Sequence, residues 1–171
     1  MFRAVDSRDV ADPRFISLYR TSFPPQEQIS PWKIRNLFGH GGRLRLFFDA
    51  DVYVGFCVTY EHEGVLHIAY LAVVPGLRGE GYGSDMLEQV VSEKKIRGAF
   101  LTAEVITGKG KELKERTDRR RFYRKNGWKQ SGILVPTAQT DLEVYELDSV
   151  LTPDEVLSTL NRFYDTLDGR Y

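Results

Sequence analysis

The 171-residue chain has one cysteine, Cys57, so no disulfide within the chain can brace it, and a free thiol fits a reducing compartment. It carries no excess charge of either sign, because 24 Lys and Arg balance 24 Asp and Glu. Whole-chain electrostatics therefore give no reason to expect nucleic acid or an anionic membrane as a partner. Long apolar runs are missing too. No stretch approaches the ~18 apolar residues of a membrane span. Residues 1–20 are broken by Asp6, Arg8, Asp9, Asp12 and Arg14, which leaves no uninterrupted apolar core for a secretory leader. There is no internal repeat, low-complexity tract or long Gly/Ser/Pro linker, and the carboxylates show no metal-ligand spacing. The expectation is a single cytoplasmic domain over residues 1–171, monomer or homodimer, without a metal, and long enough to bury most of its apolar surface.

What is present is a run of periodic segments. Phe2–Val5 reads as a short strand, and residues 8–23 as a helix with Val10, Phe15, Leu18 and Tyr19 on one side. A turn-rich break at Phe23–Gln28 leads to a second helix over about Pro31–Phe38, closed by His40-Gly41-Gly42. The period then changes. Leu44, Leu46 and Phe48 alternate with Arg43, Arg45 and Phe47, which predicts a half-buried strand. Val52–Tyr60 and the almost wholly apolar Val65–Val74 follow across short turns, so the three form an antiparallel meander whose last member is covered on both faces. A helix over about Tyr82–Arg97, a strand over Ala99–Ile106 and a charged helix over Glu112–Asn126 come next. Two strands near Trp128–Val135 and Leu142–Leu147 complete the series. Thr152-Pro153-Asp154-Glu155 then carries both a capping box and a proline at the first helical position, which predicts a C-terminal helix.

The most informative segment is Tyr70–Ser84, where a buried strand runs into Pro75-Gly76-Leu77-Arg78-Gly79-Glu80-Gly81-Tyr82-Gly83-Ser84 and a helix begins. A helix N-terminus leaves backbone N–H groups without partners and favours negative charge. Glycines at alternate positions let the backbone curl around a ligand without side chains in the way. Strand, glycine loop and helix together make a pyrophosphate cradle, with Arg78 as a positive charge at its mouth. A dinucleotide loop would need glycine at position 84, where Ser84 stands. A nucleoside-triphosphate loop would need Gly-Lys-Ser/Thr after a glycine and four residues, which is absent. Taken alone, the segment could also be a plain glycine turn before a helix.

Farther along, Phe122-Tyr123-Arg124-Lys125-Asn126-Gly127-Trp128 is similar to the pattern Phe-Tyr-x-x-x-Gly-Phe, and Arg78, Gly81 and Gly83 fit Arg/Gln-x-x-Gly-x-Gly/Ala. Both patterns, in this order over roughly residues 43–147, resemble the GNAT superfamily of acetyl-CoA-dependent N-acetyltransferases, in particular its small bacterial-type members of unassigned substrate. The resemblance implies an α/β (α+β) fold: a mixed, mostly antiparallel twisted sheet of six to seven strands, with helices on both faces and here a C-terminal helix. Strands 65–74 and 99–106 would splay into a V that admits the pantetheine arm of acetyl-CoA, the co-substrate. Backbone groups of Leu71, Ala72 and Val73 would pair with its amides. Arg78, Gly79, Glu80, Gly81, Tyr82, Gly83 and Ser84 would hold its pyrophosphate. Tyr123 would protonate the leaving thiolate.

A protonated amine must lose a proton before it attacks a thioester. Family members that carry a catalytic glutamate on the strand facing the V point to Glu104, and members with a base five residues before the Ala of the strand triplet point to His67. As residues, Tyr123 also reads as core packing, Glu104 as a surface carboxylate and His67 as a structural histidine. The sequence departs from the family where Arg116 and Arg119 replace the usual Asn and Ala, seven and four residues before Tyr123. Those arginines meet a CoA phosphate or, with Arg120 and Arg121, form a solvated face balanced by Glu112, Glu115 and Asp118. By resemblance Phe23–Trp32 and Leu142–Tyr145 shape the acceptor pocket, with Glu27 toward a cationic amine and Trp32 and Tyr145 as walls. The acceptor expected is a primary amine of a small molecule. Alternatives are a protein N-terminus or lysine, which an open acidic groove around Glu27 and Glu143 would favour, and a non-catalytic acyl-CoA-binding role.

Overall fold

A computed structural model of the chain describes residues 1–92 and 95–171. Its elements are β1 (Phe2–Ser7), α1 (Pro13–Ser22), α2 (Pro31–Ile34), β2 (Gly42–Asp49), β3 (Val52–His62), β4 (Val65–Val73), α3 (Tyr82–Ser92), β5 (Gly98–Glu104), α4 (Gly110–Lys125), β6 (Lys129–Val135), β7 (Leu142–Leu147) and α5 (Pro153–Leu167). Short 3-10 turns at Pro25–Glu27, Arg35–Leu37 and Pro75–Leu77 bend the connections.

Local chemistry explains most of these bounds. The first helix starts at Pro13 rather than residue 8, because Asp12 caps it by accepting the Arg14 N–H at 2.8 Å and Pro13 takes the first helical position. The expected helix over 31–38 is α-helical only to Ile34 and then tightens into the Arg35–Leu37 turn. The expected helix over 82–97 stops at Ser92 as far as it is described; Glu93 and Lys94 lie outside the described residues, and Lys95–Arg97 are not helical. The C-terminal helix has its capping box, with Thr152 and Glu155 serving each other's backbone N–H groups.

The seven strands form one sheet in the order β1-β2-β3-β4-β5-β7-β6. Every neighbouring pair is antiparallel except β4 and β5. Those two run parallel and pair only from Val65↔Gly98 to Ile68↔Leu101. Beyond Ile68 and Leu101 each strand continues, to Val73 and Glu104, without its neighbour.

Helices cover both faces. On one, α1, α2 and α5 bury Phe15, Tyr19, Ile34 and Phe163 against Leu44, Phe56 and Tyr70. On the other, Met86, Leu87 and Val90 of α3 pack with Phe47, Val54 and Trp128. The expectation of a half-buried β2 is therefore corrected: Leu44 and Leu46 face one helical layer and Phe47 the other. Even Arg45 is only 2% exposed and reaches Asp6 of β1 at 3.1 Å. Alternation of residue types misled here because a buried arginine with a carboxylate partner reads as a solvent position.

Candidate functional site

The gap between β4 and β5 has a defined set of backbone groups along one wall. Val74 N–H donates to Val54 carbonyl at 2.8 Å, which makes Val74 and Val54 a hydrogen-bonded pair of the β3–β4 ladder. In an antiparallel ladder such pairs alternate, so Ala72 also spends its polar groups on β3, opposite Phe56. The groups of Leu71 and Val73 point the other way, into the gap. At its mouth Arg78 Nε donates to the Val73 carbonyl at 3.2 Å, so the guanidinium is held over the end of β4.

The glycine loop continues from there. Gly79 and Gly81 have φ of +87° and +94°, a region that a side chain makes costly, and a Cβ at either would meet only open space. Those two glycines therefore serve the backbone turn and not packing. Ser84 N–H and Asp85 N–H both turn back to the Gly81 carbonyl. The N–H groups of residues 79–83 have no backbone acceptor among the described residues, which is the donor cluster that a pyrophosphate requires. Gly83 differs from its neighbours, since a Cβ there would approach the Phe122 ring at 3.0 Å. Tyr82 reaches backwards, stacking on Phe2 and donating to Asp49 at 3.0 Å, while Glu80 is exposed.

Tyr123 stands on α4 with its ring between Phe122 and Tyr145, at centroid distances of 5.7 and 5.4 Å. Its hydroxyl makes no hydrogen bond among the described residues. Burial pushes its pKa above the ordinary tyrosine value, the positive Arg119 opposes this, and Tyr145 adds to it. A phenol so placed stays protonated at neutral pH and has a free donor. Tyr145 is buried behind it, with its hydroxyl accepting from Arg120 Nε at 3.0 Å and lying 3.2 Å from Glu143. Tyr145 therefore supports Tyr123 from behind, where the sequence suggested a pocket wall.

Glu104 ends β5, and the strand does not continue to Ile106. Arg116 Nε lies 2.8 Å from its carboxylate, and the same guanidinium reaches Glu112 at 2.8 Å and Thr107 Oγ1 at 2.7 Å. Arg116 is thus committed to its own chain and not free for a CoA phosphate. Burial raises the pKa of Glu27, in the first 3-10 turn, and the negative charge of Glu104 adds to this, against Arg119 and Arg116. Tyr70 Oη donates to the Glu27 carbonyl at 2.7 Å and anchors this turn on β4. Arg120 and Glu143 form a bidentate pair at 3.1 and 2.8 Å, so Glu143 does not open an acidic groove.

Two other sequence candidates fall outside this centre. His67 is enclosed, stacked on Phe100 at 4.8 Å and edge-on to Phe163 at 5.1 Å, and burial pushes its pKa down to about 3. It has no route to a substrate proton and is a core residue. Trp32 is 62% exposed and packs under Arg35 on α2. Cys57 is buried as expected, its thiol pushed up to about 12 by desolvation. Arg119 is the residue that sequence reading undervalued: it is exposed, it has no ion pair among the described residues, and its charge acts on both Tyr123 and Glu27. Its place in an arginine triplet hid it.

Comparison with known proteins agrees with this architecture. The acetyltransferase (GNAT) domain family matches residues 43–130, just over half of the chain. A GNAT-family protein from Bacteroides thetaiotaomicron superposes with a TM-score of 0.73 at 19% identity, covering 100% of this chain and 99% of its own. A spermidine N-acetyltransferase variant from Vibrio cholerae gives 0.62 at 16% identity, covering 86% of this chain and 94% of its own. The ribosomal-protein-S18-alanine N-acetyltransferase of Escherichia coli gives 0.63 at 15% identity, with 86% and 93% covered. No curated protein sequence matches the chain.

Proposed function

Because the chain belongs to the GNAT acetyltransferase family and is an acetyl-CoA-dependent N-acetyltransferase, we propose that its acceptor is a primary amine of a small molecule, acetylated by direct attack in a ternary complex. The observation that carries this reading is the gap between β4 and β5. It is lined by the outward backbone groups of Leu71 and Val73, capped by the free N–H groups of residues 79–83, and flanked by Tyr123 and Glu104. Acetyl-CoA would supply a thioester carbonyl activated toward amines. Leu71 and Val73 would hold the pantetheine amides as a neighbouring strand would, while Arg78 and the loop would meet the pyrophosphate.

Tyr123 would donate its proton to the departing sulfur, since burial keeps the phenol protonated and its hydroxyl is uncommitted. Glu104, 2.8 Å from Arg116 Nε, would attract and orient the ammonium and help to remove its proton. The acceptor end supports a small amine over a protein surface. Tyr70, whose hydroxyl holds the Glu27 turn, meets Tyr19 and Phe23 edge to face at 5.1 and 4.9 Å, and Glu143 is closed off by Arg120. Among the similar folds, one is named for spermidine and another for a ribosomal protein's alanine, so the fold alone does not choose.

Calorimetric titration of acetyl-CoA, with NAD and ATP as controls, is the direct test. Selective binding that is lost in Gly81→Asp, followed by CoA-thiol release with putrescine or an aminoglycoside but not with an alanine-initiated peptide, is the expected outcome. Release with the peptide alone would replace the small molecule by a protein N-terminus. No acetyl-CoA binding by folded protein would remove the reading altogether.

A further inference from the structure

Five arginines lie on α4, and four of them have partners. Arg121 pairs with Asp118 at 3.2 Å on the solvent side, where the Lys111–Glu115 and Lys114–Asp118 pairs complete a face that neutralises itself. Arg124 reaches Gln130 at 3.4 Å. Arg116 and Arg120 turn inward and are matched one to one with carboxylates of the sheet. Arg116 Nε lies 2.8 Å from Glu104, and Arg120 Nη2 lies 2.8 Å from Glu143. Arg119 has neither an ion pair nor a side-chain hydrogen bond among the described residues.

The direction of Arg119 follows from its neighbours on the helix. At about 100° per residue it lies about 40° around the axis from Tyr123 and about 60° from Arg116. Arg116 meets the end of β5, Arg120 meets β7 beyond it, and Tyr123 packs on Tyr145. On the other side of Arg119, about 60° away, Phe122 meets the first turn of α3 at Gly83. Arg119 therefore occupies the arc between the β5 contact and the α3 contact. Since α3 packs on β4, that arc looks onto the gap between β4 and β5. Along the axis Arg119 is displaced by about 5 Å from Phe122 toward the level of Glu104, away from the glycine loop. The loop has its own donors in the N–H groups of residues 79–83 and in Arg78. The charge of Arg119 opposes the effect of burial on both Tyr123 and Glu27, as a cation at the acceptor end of the gap would.

We propose that Arg119 receives a carboxylate of the acceptor, so that the amine acetylated is that of an amino acid, with its ammonium toward Glu104. This rests on the acetyltransferase reading above and narrows its substrate class. A guanidinium stays charged at every working pH, and its planar fork takes both oxygens of a carboxylate at once. The two cations that face the sheet beside it are already neutralised by Glu104 and Glu143, which leaves Arg119 as the one that an incoming anion can claim without breaking a pair. Its part is selection and not chemistry: it would hold the acceptor by a group remote from the attacking nitrogen.

Ornithine and putrescine differ by one carboxylate, as do lysine and cadaverine, and CoA-thiol release compares the members of each pair. The wild type should favour the amino acid by about tenfold or more in kcat/KM, chiefly through KM, the range of one charge-assisted pair. In Arg119→Ala the ratio should collapse to within about threefold of unity, and Arg119→Lys, a point charge without the fork, should keep part of it. Because Arg119 is exposed and unpaired, the urea midpoint should not move, which separates lost selection from lost folding. A wild type without this preference, or a preference that survives Arg119→Ala, would overturn the assignment. So would a fall of about tenfold in the acetyl-CoA affinity of Arg119→Ala, which would make the arginine a contact to a cofactor phosphate. Failure of the wild-type protein to bind acetyl-CoA would instead strike the acetyltransferase reading.

Discussion

Gly83 and Phe122 lie in direct contact: a Cβ on the glycine would stand 3.0 Å from the ring's Cζ. The first turn of α3 and the Phe122–Trp128 segment, separated by about forty residues of chain, are thus one packed unit.

Gly83→Ala should therefore act through α4. The added methyl would push Phe122, and with it the neighbouring Tyr123, at a cost of about 1–2 kcal/mol in stability. Urea denaturation would measure the loss, and kcat should fall more than acetyl-CoA affinity. If affinity alone falls, the glycine is there for the ligand and not for Phe122.

Tyr123→Phe removes a hydroxyl that makes no hydrogen bond among the described residues, so stability should change little. If the hydroxyl is the proton donor, kcat should fall by about a hundredfold with acetyl-CoA affinity held within twofold. Since burial raises its pKa, the wild-type activity should stay level up to the ordinary tyrosine pKa of about 10 and decline only above it.

His67 provides a stability signal rather than a rate signal. Its folded pKa of about 3 lies below the unfolded value of 6.5, so the unfolded chain binds the extra proton between those limits. The stabilisation is complete above pH 6.5 and is lost as the pH falls toward 3, at about 1.4 kcal/mol per unit. Between pH 6.5 and 5 the wild type should lose about 2 kcal/mol more than His67→Phe in denaturant titrations. Acetyl transfer by His67→Phe should keep the wild-type pH profile; a vanished limb would restore His67 as a base.

Cys57, with its thiol at about 12, should resist alkylation in the native protein. At pH 8 the thiolate fraction is on the order of a thousandfold below that of a free cysteine. Iodoacetamide labelling followed by mass spectrometry should show modification at the free-thiol rate only after unfolding.

Much of this was legible in the chain. Glycine spacing, a capping box and the change from helical to alternating period located the meander, the loop and α5, because each is a local constraint on a few consecutive residues. The failures lie where distant residues decide. Arg45 reads as a solvent position until Asp6 of β1 is beside it, and Arg116 reads as a free cation until Glu104 and Glu112 close around it. Leu71, Ala72 and Val73 look equivalent as a triplet, and only the register against β3 separates Ala72 from the other two.

The four register pairs that join β4 to β5 have a bearing on how the protein keeps to itself. Past Ile68 and Leu101 the sheet carries two unpaired strand edges in its interior, and an open edge is ordinarily an invitation to another chain's backbone. Here the two edges diverge from a common closed end, so an incoming strand would meet the opposite wall before it could align. A thin, flexible chain with amides along it can enter where a pleated strand with side chains on both faces cannot. The shape of the gap is in this sense a filter against self-association, and a variant that widened it, by loosening α5 from β4 or β5, should aggregate sooner than its loss of stability alone would explain.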